Sequence, residues 1–241
     1  MGRFLVFLYG VASYLLFLVT FLYAIGFVGN FIVPKGIDSG TPGAFGESLL
    51  VNALLLGVFA IQHSVMARPG FKAWWTKFVP NSVERSTYVL LASLALVLLF
   101  WQWRPMVDVV WHVDNEIGRT VLWALFGLGW FIVLLTTFMI NHFDLFGLRQ
   151  VYLHLRQTPY TEVHFQLNFL YKLVRHPLML GFLVAFWSAP TMTVGHLVFS
   201  LATTGYIFIA LQFEERDLLR AHGQAYEDYR KRVSMILPIP K

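Results

Sequence analysis

Two short stretches place ionisable side chains where so apolar a chain has little reason to keep them. "YKLVRHPLMLG" (Tyr171–Gly181) sets Arg175, His176 and Pro177 at the entrance of an apolar run. "FEERDLLRAHGQAYEDYRKRV" sets Glu214 and Glu215 at the exit of another. Proline is favoured in the first turn of a helix, where its missing N–H costs nothing, so Pro177 reads as a helix start. Arg175 and His176 then sit at a helix N-terminus, where free amides and the positive dipole end suit an anion. The pair also reads as an interfacial anchor, with an arginine that snorkels. Adjacent carboxylates at a membrane edge are costly without partners, and Arg175 and Arg216 are candidate counter-charges. As a solvated helix start they would need none. If the two runs are consecutive antiparallel helices, cationic and anionic groups converge at one membrane level. A ligand carrying an amine, a carboxylate and an aromatic base fits such a place.

The elements that must position these groups are membrane spans. Of 241 residues, 57% are hydrophobic and only 13% charged, about half the charge of a soluble domain. The fold class is an all-α integral membrane protein with about six transmembrane helices. Long apolar runs cover Phe4–Phe27, Leu49–Met66, Tyr88–Trp103, Val121–Ile140 and Val194–Phe213, each near the roughly 20 residues a span needs. A shorter run, Leu178–Ala189, is joined to the last by the turn signal "SAP" and reads as half of a helical hairpin. The first run is too long for a signal-peptide core and reads as a retained span.

Orientation follows from the basic residues. With the N-terminus inside, fifteen of the 18 lysines and arginines fall in cytoplasmic segments; Lys35, Arg104 and Arg119 fall outside. That places both termini in the cytoplasm, as expected for a bacterial inner-membrane protein. The net charge of +5 reflects basic loops against a lipid bilayer rather than a nucleic-acid partner. "ARPGFKAWWTKFVPNSVERS" mixes basic and tryptophan side chains and belongs at the membrane interface. From Phe213 onward apolar residues recur at helical spacing, which makes an amphipathic cytoplasmic helix ended by Pro238 and Pro240.

There is no cysteine, so thiolate metal sites, disulfides and cysteine nucleophiles are excluded. Eight histidines invite a haem, metal or transporter reading. No histidine pair has ligand spacing within a span, and the charges gather at span ends rather than mid-membrane, so no metal site is expected. The candidate proton acceptors are His63 in "FAIQHSVMARP", Asp144 and His142 closing the fourth run, and Glu162 and His164 in the connection that follows. Each also has an ordinary structural reading, as a bonded or capping residue.

The spacing of Tyr171, Arg175, His176, Pro177 and Gly181, then Glu214, Glu215, Leu218, Gly223, Tyr226, Tyr229 and Pro238, resembles the signature of the isoprenylcysteine carboxyl methyltransferase and phospholipid methyltransferase family. Met179 stands where that family has tyrosine, and His222 where it has phenylalanine. His164 lies seven residues before Tyr171 rather than eight. Along the whole chain, "NHFDLFGLRQV" and "TPYTEVHFQLNFLYKLVRHPLMLG" are similar to the bacterial methanethiol S-methyltransferase branch and to NnrU-type membrane proteins.

The resemblance implies S-adenosylmethionine as cofactor and a small thiol as substrate, with methanethiol going to dimethyl sulfide. A prenylcysteine, a phospholipid or another thiol is the alternative acceptor. It implies that His164, Tyr171, Arg175 and His176 hold the adenosyl part or the methionine carboxylate. Glu214 or Glu215 suits the α-amine or ribose, and Tyr226 or Tyr229 closes the pocket. His63, Asp144 and Glu162 are then the catalytic candidates. Residues 1–241 form a single membrane domain whose cofactor-binding, catalytic half is 141–241. Oligomeric state is not legible.

Overall fold

The computed structural model describes residues 2–161 and 169–238. Its elements are α1 (Arg3–Gly29), α2 (Phe45–Ala67), α3 (Pro69–Trp75), α4 (Asn81–Gln102), β1 (Val109–His112), α5 (Glu116–Ile140), α6 (His142–Leu145), α7 (Leu148–Leu155), α8 (Pro177–Trp187), β2 (Thr191–Thr193) and α9 (Val194–Arg232). The protein is therefore the all-α membrane protein its composition predicts. Five helices, α1, α2, α4, α5 and α9, are long and apolar enough to cross a membrane. The shorter α8 has eleven residues and reaches about 16 Å, roughly half the hydrocarbon thickness.

Contacts group the chain into two units, Met1–Val107 with Asn141–His164, and Asp108–Ile140 with Phe165–Lys241. In the first, α1 and α2 pack on α4, and α7 packs on α1 and α4. The fourth helix begins at Asn81, seven residues before the apolar run. Its polar first turns are satisfied within the unit: Arg85 Nε donates to the Leu145 carbonyl at 2.7 Å, and Thr87 bonds the Tyr9 hydroxyl at 2.9 Å. Asn141–Arg175, read as one long connection, contains α6 and α7.

In the second unit α5 begins at Glu116, where the Asn115 side chain accepts the Gly118 N–H at 2.9 Å. A short ribbon that the sequence did not announce pairs β1 antiparallel with β2, Val109 opposite Thr193 and His112 opposite Thr191. The helical hairpin is present. Trp187 Nε1 donates to Thr204 at 3.0 Å, and Ser200 donates to the Phe186 carbonyl at 2.8 Å. Yet α8 makes its most extensive contact with α5.

That contact depends on small residues. A Cβ on Gly129 would lie 2.5 Å from the Ala185 amide nitrogen and 2.7 Å from the Gly181 carbonyl oxygen. Backbone cannot give way as a flexible side chain can, so the helices must part. Gly129→Ala is expected to cost about 1–3 kcal/mol. Gly127→Ala, with nothing within 4 Å of its new methyl, should leave stability unchanged. Thermal unfolding in detergent distinguishes the two, and equal melting temperatures would disprove the close crossing.

The last helix has 39 residues, which drawn out straight would rise about 58 Å, roughly twice what a bilayer core needs. Its apolar stretch runs to Phe213, and the polar remainder lies beyond the span. No break separates the two parts. Instead the backbone turns at Gly223, which is not helical (φ 53, ψ −128). The chain after Arg232 then returns to the start of α8. Arg175 N–H donates to the Ser234 carbonyl at 2.9 Å, and His176 N–H to Met235 at 3.1 Å. Ile236 joins Ile207 and Leu211 in a buried cluster against Met179 and Leu183.

Candidate active site

The second unit gathers the charged residues of both motifs around one carboxylate. Arg175 Nε donates to Glu215 Oε1 at 2.8 Å and Nη2 to Oε2 at 3.1 Å, a bidentate pair. His176 Nε2 lies 2.8 Å from the same Oε1, and the Tyr226 hydroxyl donates to it at 2.8 Å. Arg230 Nε stands 3.4 Å from Oε2. Arg175, His176, Glu215 and Tyr226 are all buried. Arg175 Nη1 also donates to the carbonyls of Arg230 (3.2 Å) and Val233 (2.6 Å). One guanidinium thus ties the start of α8 to Glu215 and to the end of α9.

Burial alone would raise the Glu215 carboxyl. The hydrogen bonds from His176, Arg175 and Tyr226 outweigh it and hold the group down at about 2. It is an ionised acceptor with its lone pairs engaged. Glu214, its neighbour, faces the other way: its side chain is 46% exposed and only 3.6 Å from His176 Nδ1. Tyr171 contributes its carbonyl to the Tyr229 hydroxyl at 2.6 Å. Its own hydroxyl is pushed up by burial and then by the Glu214 charge. Beside this knot lies a cleft of about 220 Å³ lined by Arg175, Glu215, Gln212, Arg216 and Arg230.

The remaining candidates lie elsewhere or outside the described residues. In the first unit His63 has both ring nitrogens 3.0 Å from the Tyr88 hydroxyl and stacks on Phe59 at 5.1 Å. The Arg85 guanidinium lies over the Tyr88 ring, 5.0 Å from its centre. Asp144 is paired with Arg149 at 2.8 Å and accepts from the Tyr160 hydroxyl at 3.2 Å. His142 is buried and bonded to the Tyr14 hydroxyl at 2.8 Å, and burial pushes its pKa down. Glu162 and His164 fall outside the described residues. No group of three or more metal-ligating side chains is assembled among the described residues.

Gln212 and Arg230 were not singled out by sequence, and Arg216 only as a candidate counter-charge to the carboxylate pair. Arg216 is adjacent to Glu215, but only the bend at Gly223 brings Arg230 to the same cleft. Basic residues on an amphipathic helix carry no signal that separates a ligand contact from a solvated face.

The chain is similar to proteins of known name over most or all of its length. The family model described as NnrU protein matches residues 50–237. A methanethiol S-methyltransferase of Mycobacterium tuberculosis is 64% identical over 100% of this chain and 98% of its own. Methanethiol S-methyltransferase 2 of Bradyrhizobium diazoefficiens is 57% identical over 98% and 91%. Nurim of Mus musculus is 29% identical over 73% and 70%. No solved structure matches. By the extent of these matches, the chain belongs to the NnrU family of membrane proteins, in the group that holds the methanethiol S-methyltransferases.

Proposed function

We propose that this protein is an S-adenosylmethionine-dependent methyltransferase that converts methanethiol to dimethyl sulfide. The observation that carries the reading is the buried Arg175–Glu215–His176–Tyr226 knot beside an exposed Glu214 and a guanidinium-lined cleft. Relatives up to 64% identical, named for that reaction, support the choice of substrate. We also place the protein in a bacterial inner membrane with both termini in the cytoplasm, on the distribution of its basic residues.

The donor set fits the cofactor. It is a zwitterion with a nucleoside, and the site offers an exposed carboxylate for its ammonium and guanidinium groups for its acid end. Bound S-adenosylmethionine supplies an electrophilic methyl group on a sulfonium. Glu214 is the proposed ligand of the α-ammonium. Glu215 holds Arg175, His176 and Tyr226 in place and, being fully engaged, takes no proton. Tyr171 and Tyr226 flank the site.

The thiol must react as thiolate, and a thiol near pKa 8.5 is mostly protonated at neutral pH. His63 is the proposed proton acceptor, on its chemistry: an imidazole held by Tyr88 and Phe59 inside an apolar helix. The Asp144 carboxylate already binds Arg149 and Tyr160 and is the weaker candidate.

Purified protein in detergent is expected to bind S-adenosylhomocysteine by calorimetry and to release dimethyl sulfide, read by headspace gas chromatography. Absence of calorimetric binding would refute the cofactor. Binding without dimethyl sulfide, but with methylation of a prenylcysteine analogue, would move the acceptor. His63→Ala should lower the rate most at low pH, where thiolate is scarcest; an unchanged pH profile removes His63 as base.

A further inference from the structure

We propose that Arg216 and Arg230, with Gln212, form the subsite for the cofactor's α-carboxylate. The inference rests on the cofactor reading above and assigns residues that the motifs left out. Arg175 is the motif arginine, yet four of its five N–H donors are already engaged. Nε and Nη2 face Glu215, and Nη1 faces two backbone carbonyls. Its charge is matched by the Glu215 carboxylate. The cleft is nevertheless lined by three arginines, Arg175, Arg216 and Arg230, and by one acidic residue, Glu215. Three arginines against one carboxylate leave the lining with a net positive charge, and Arg216 adds to it without an ion pair of its own among the described residues.

Arg216 stacks over the Phe213 ring at 5.9 Å, and among the described residues no ion pair holds it. Arg230 leans one nitrogen toward Glu215 at 3.4 Å while its side chain stays 48% exposed. A guanidinium fork matches a carboxylate with two parallel hydrogen bonds, and two such groups around one cleft select an anion.

Size supports the same end of the ligand. A cleft of about 220 Å³ holds the equivalent of roughly seven waters, enough for an amino-acid end but not for a nucleoside as well. The two arginines also come from opposite arms of α9. In a straight helix residues 216 and 230 would lie about 21 Å apart. The turn at Gly223 brings both to one cleft, so the subsite exists only in the bent form.

A phospholipid phosphate has similar anion chemistry, so the test separates the two. Calorimetry compares S-adenosylhomocysteine with its decarboxylated analogue, S-adenosyl-3-thiopropylamine, in uncharged detergent. The wild type should prefer the carboxylate ligand by at least about tenfold. Arg216→Gln and Arg230→Gln should each weaken S-adenosylhomocysteine by about tenfold and leave the decarboxylated analogue unchanged. Wild type binding both ligands equally, or variants weakening both equally, overturns the subsite while leaving the cofactor reading intact. Wild type binding neither overturns both. Phosphatidylglycerol nanodiscs that displace S-adenosylhomocysteine from the wild type but not from Arg216→Gln would assign the cleft to lipid and overturn it. Should Arg230→Gln fail to fold, Arg216→Gln, which touches no ion pair of the knot, carries the comparison.

Discussion

Glu215→Ala is expected to dismantle the site, whereas Glu214→Ala should remove only its ligand. The two carboxylates are adjacent in sequence and opposite in circumstance. Glu215 receives Arg175 twice, at 2.8 and 3.1 Å, His176 at 2.8 Å and Tyr226 at 2.8 Å. Removing it leaves the Arg175 guanidinium buried, its side chain 5% exposed, with no matching charge. Breaking one side of a buried ion pair costs about 3–5 kcal/mol, because the surviving charge is stranded out of water. The melting temperature in detergent should fall clearly, and binding of S-adenosylhomocysteine should vanish with it.

Glu214 makes one long contact, 3.6 Å to His176, from a half-exposed position. Its loss should change stability by less than about 0.5 kcal/mol. Calorimetric affinity should still drop by about tenfold or more, the cost of one charge-assisted hydrogen bond. If Glu215→Ala melts like the wild type, the knot is not what holds α8 to α9. If Glu214→Ala binds normally, the ammonium is held elsewhere.

Gly223→Ala should cost the C-terminal half of α9 its position while leaving the membrane spans intact. At φ 53 and ψ −128 the backbone sits in a region that essentially only glycine enters. Nothing lies within 4 Å of an added Cβ, so the penalty is conformational rather than steric. It is of order 1–3 kcal/mol, and a straight helix relieves it.

Straightening would carry Tyr226 away from Glu215, which is eleven positions earlier, and withdraw the Arg230 and Val233 carbonyls from Arg175. Helical content by circular dichroism should stay nearly constant, since one helical form replaces another. Cofactor affinity should collapse, and trypsin should cut faster at Arg230–Arg232. Gly205→Ala in the same helix, also with open space around the new methyl, is the matched control and should behave as wild type. Equal affinity for Gly223→Ala and Gly205→Ala would show that the bend is not needed for binding.

Much of this architecture is legible from residue order. Long apolar runs announce the spans because each must bury its own backbone hydrogen bonds in lipid. Pro177 announces the start of α8. The convergence of Arg175 and His176 with the Glu214–Glu215 pair follows from two consecutive antiparallel helices. The start of α4 was less legible. The Asn81–Thr87 segment looks polar in isolation, and Arg85 and Thr87 find partners on residues far away in sequence.

Several features depended on the folded chain. Neighbouring positions on a helix point about 100° apart, so one of Glu214 and Glu215 faces inward. Which one is set by how α9 is rotated against α8, not by either residue's identity. The ribbon of β1 and β2 joins segments about eighty residues apart, and neither strand is long enough to declare itself. The knot likewise needs Tyr226, Arg230 and the Ser234–Met235 carbonyls, which reach α8 only through the turn at Gly223. Hydrophobic patterning is local and can be counted along the chain. The partners of a buried charge are chosen by distances between side chains that the chain order does not contain, and those distances gathered the basic motif around Glu215.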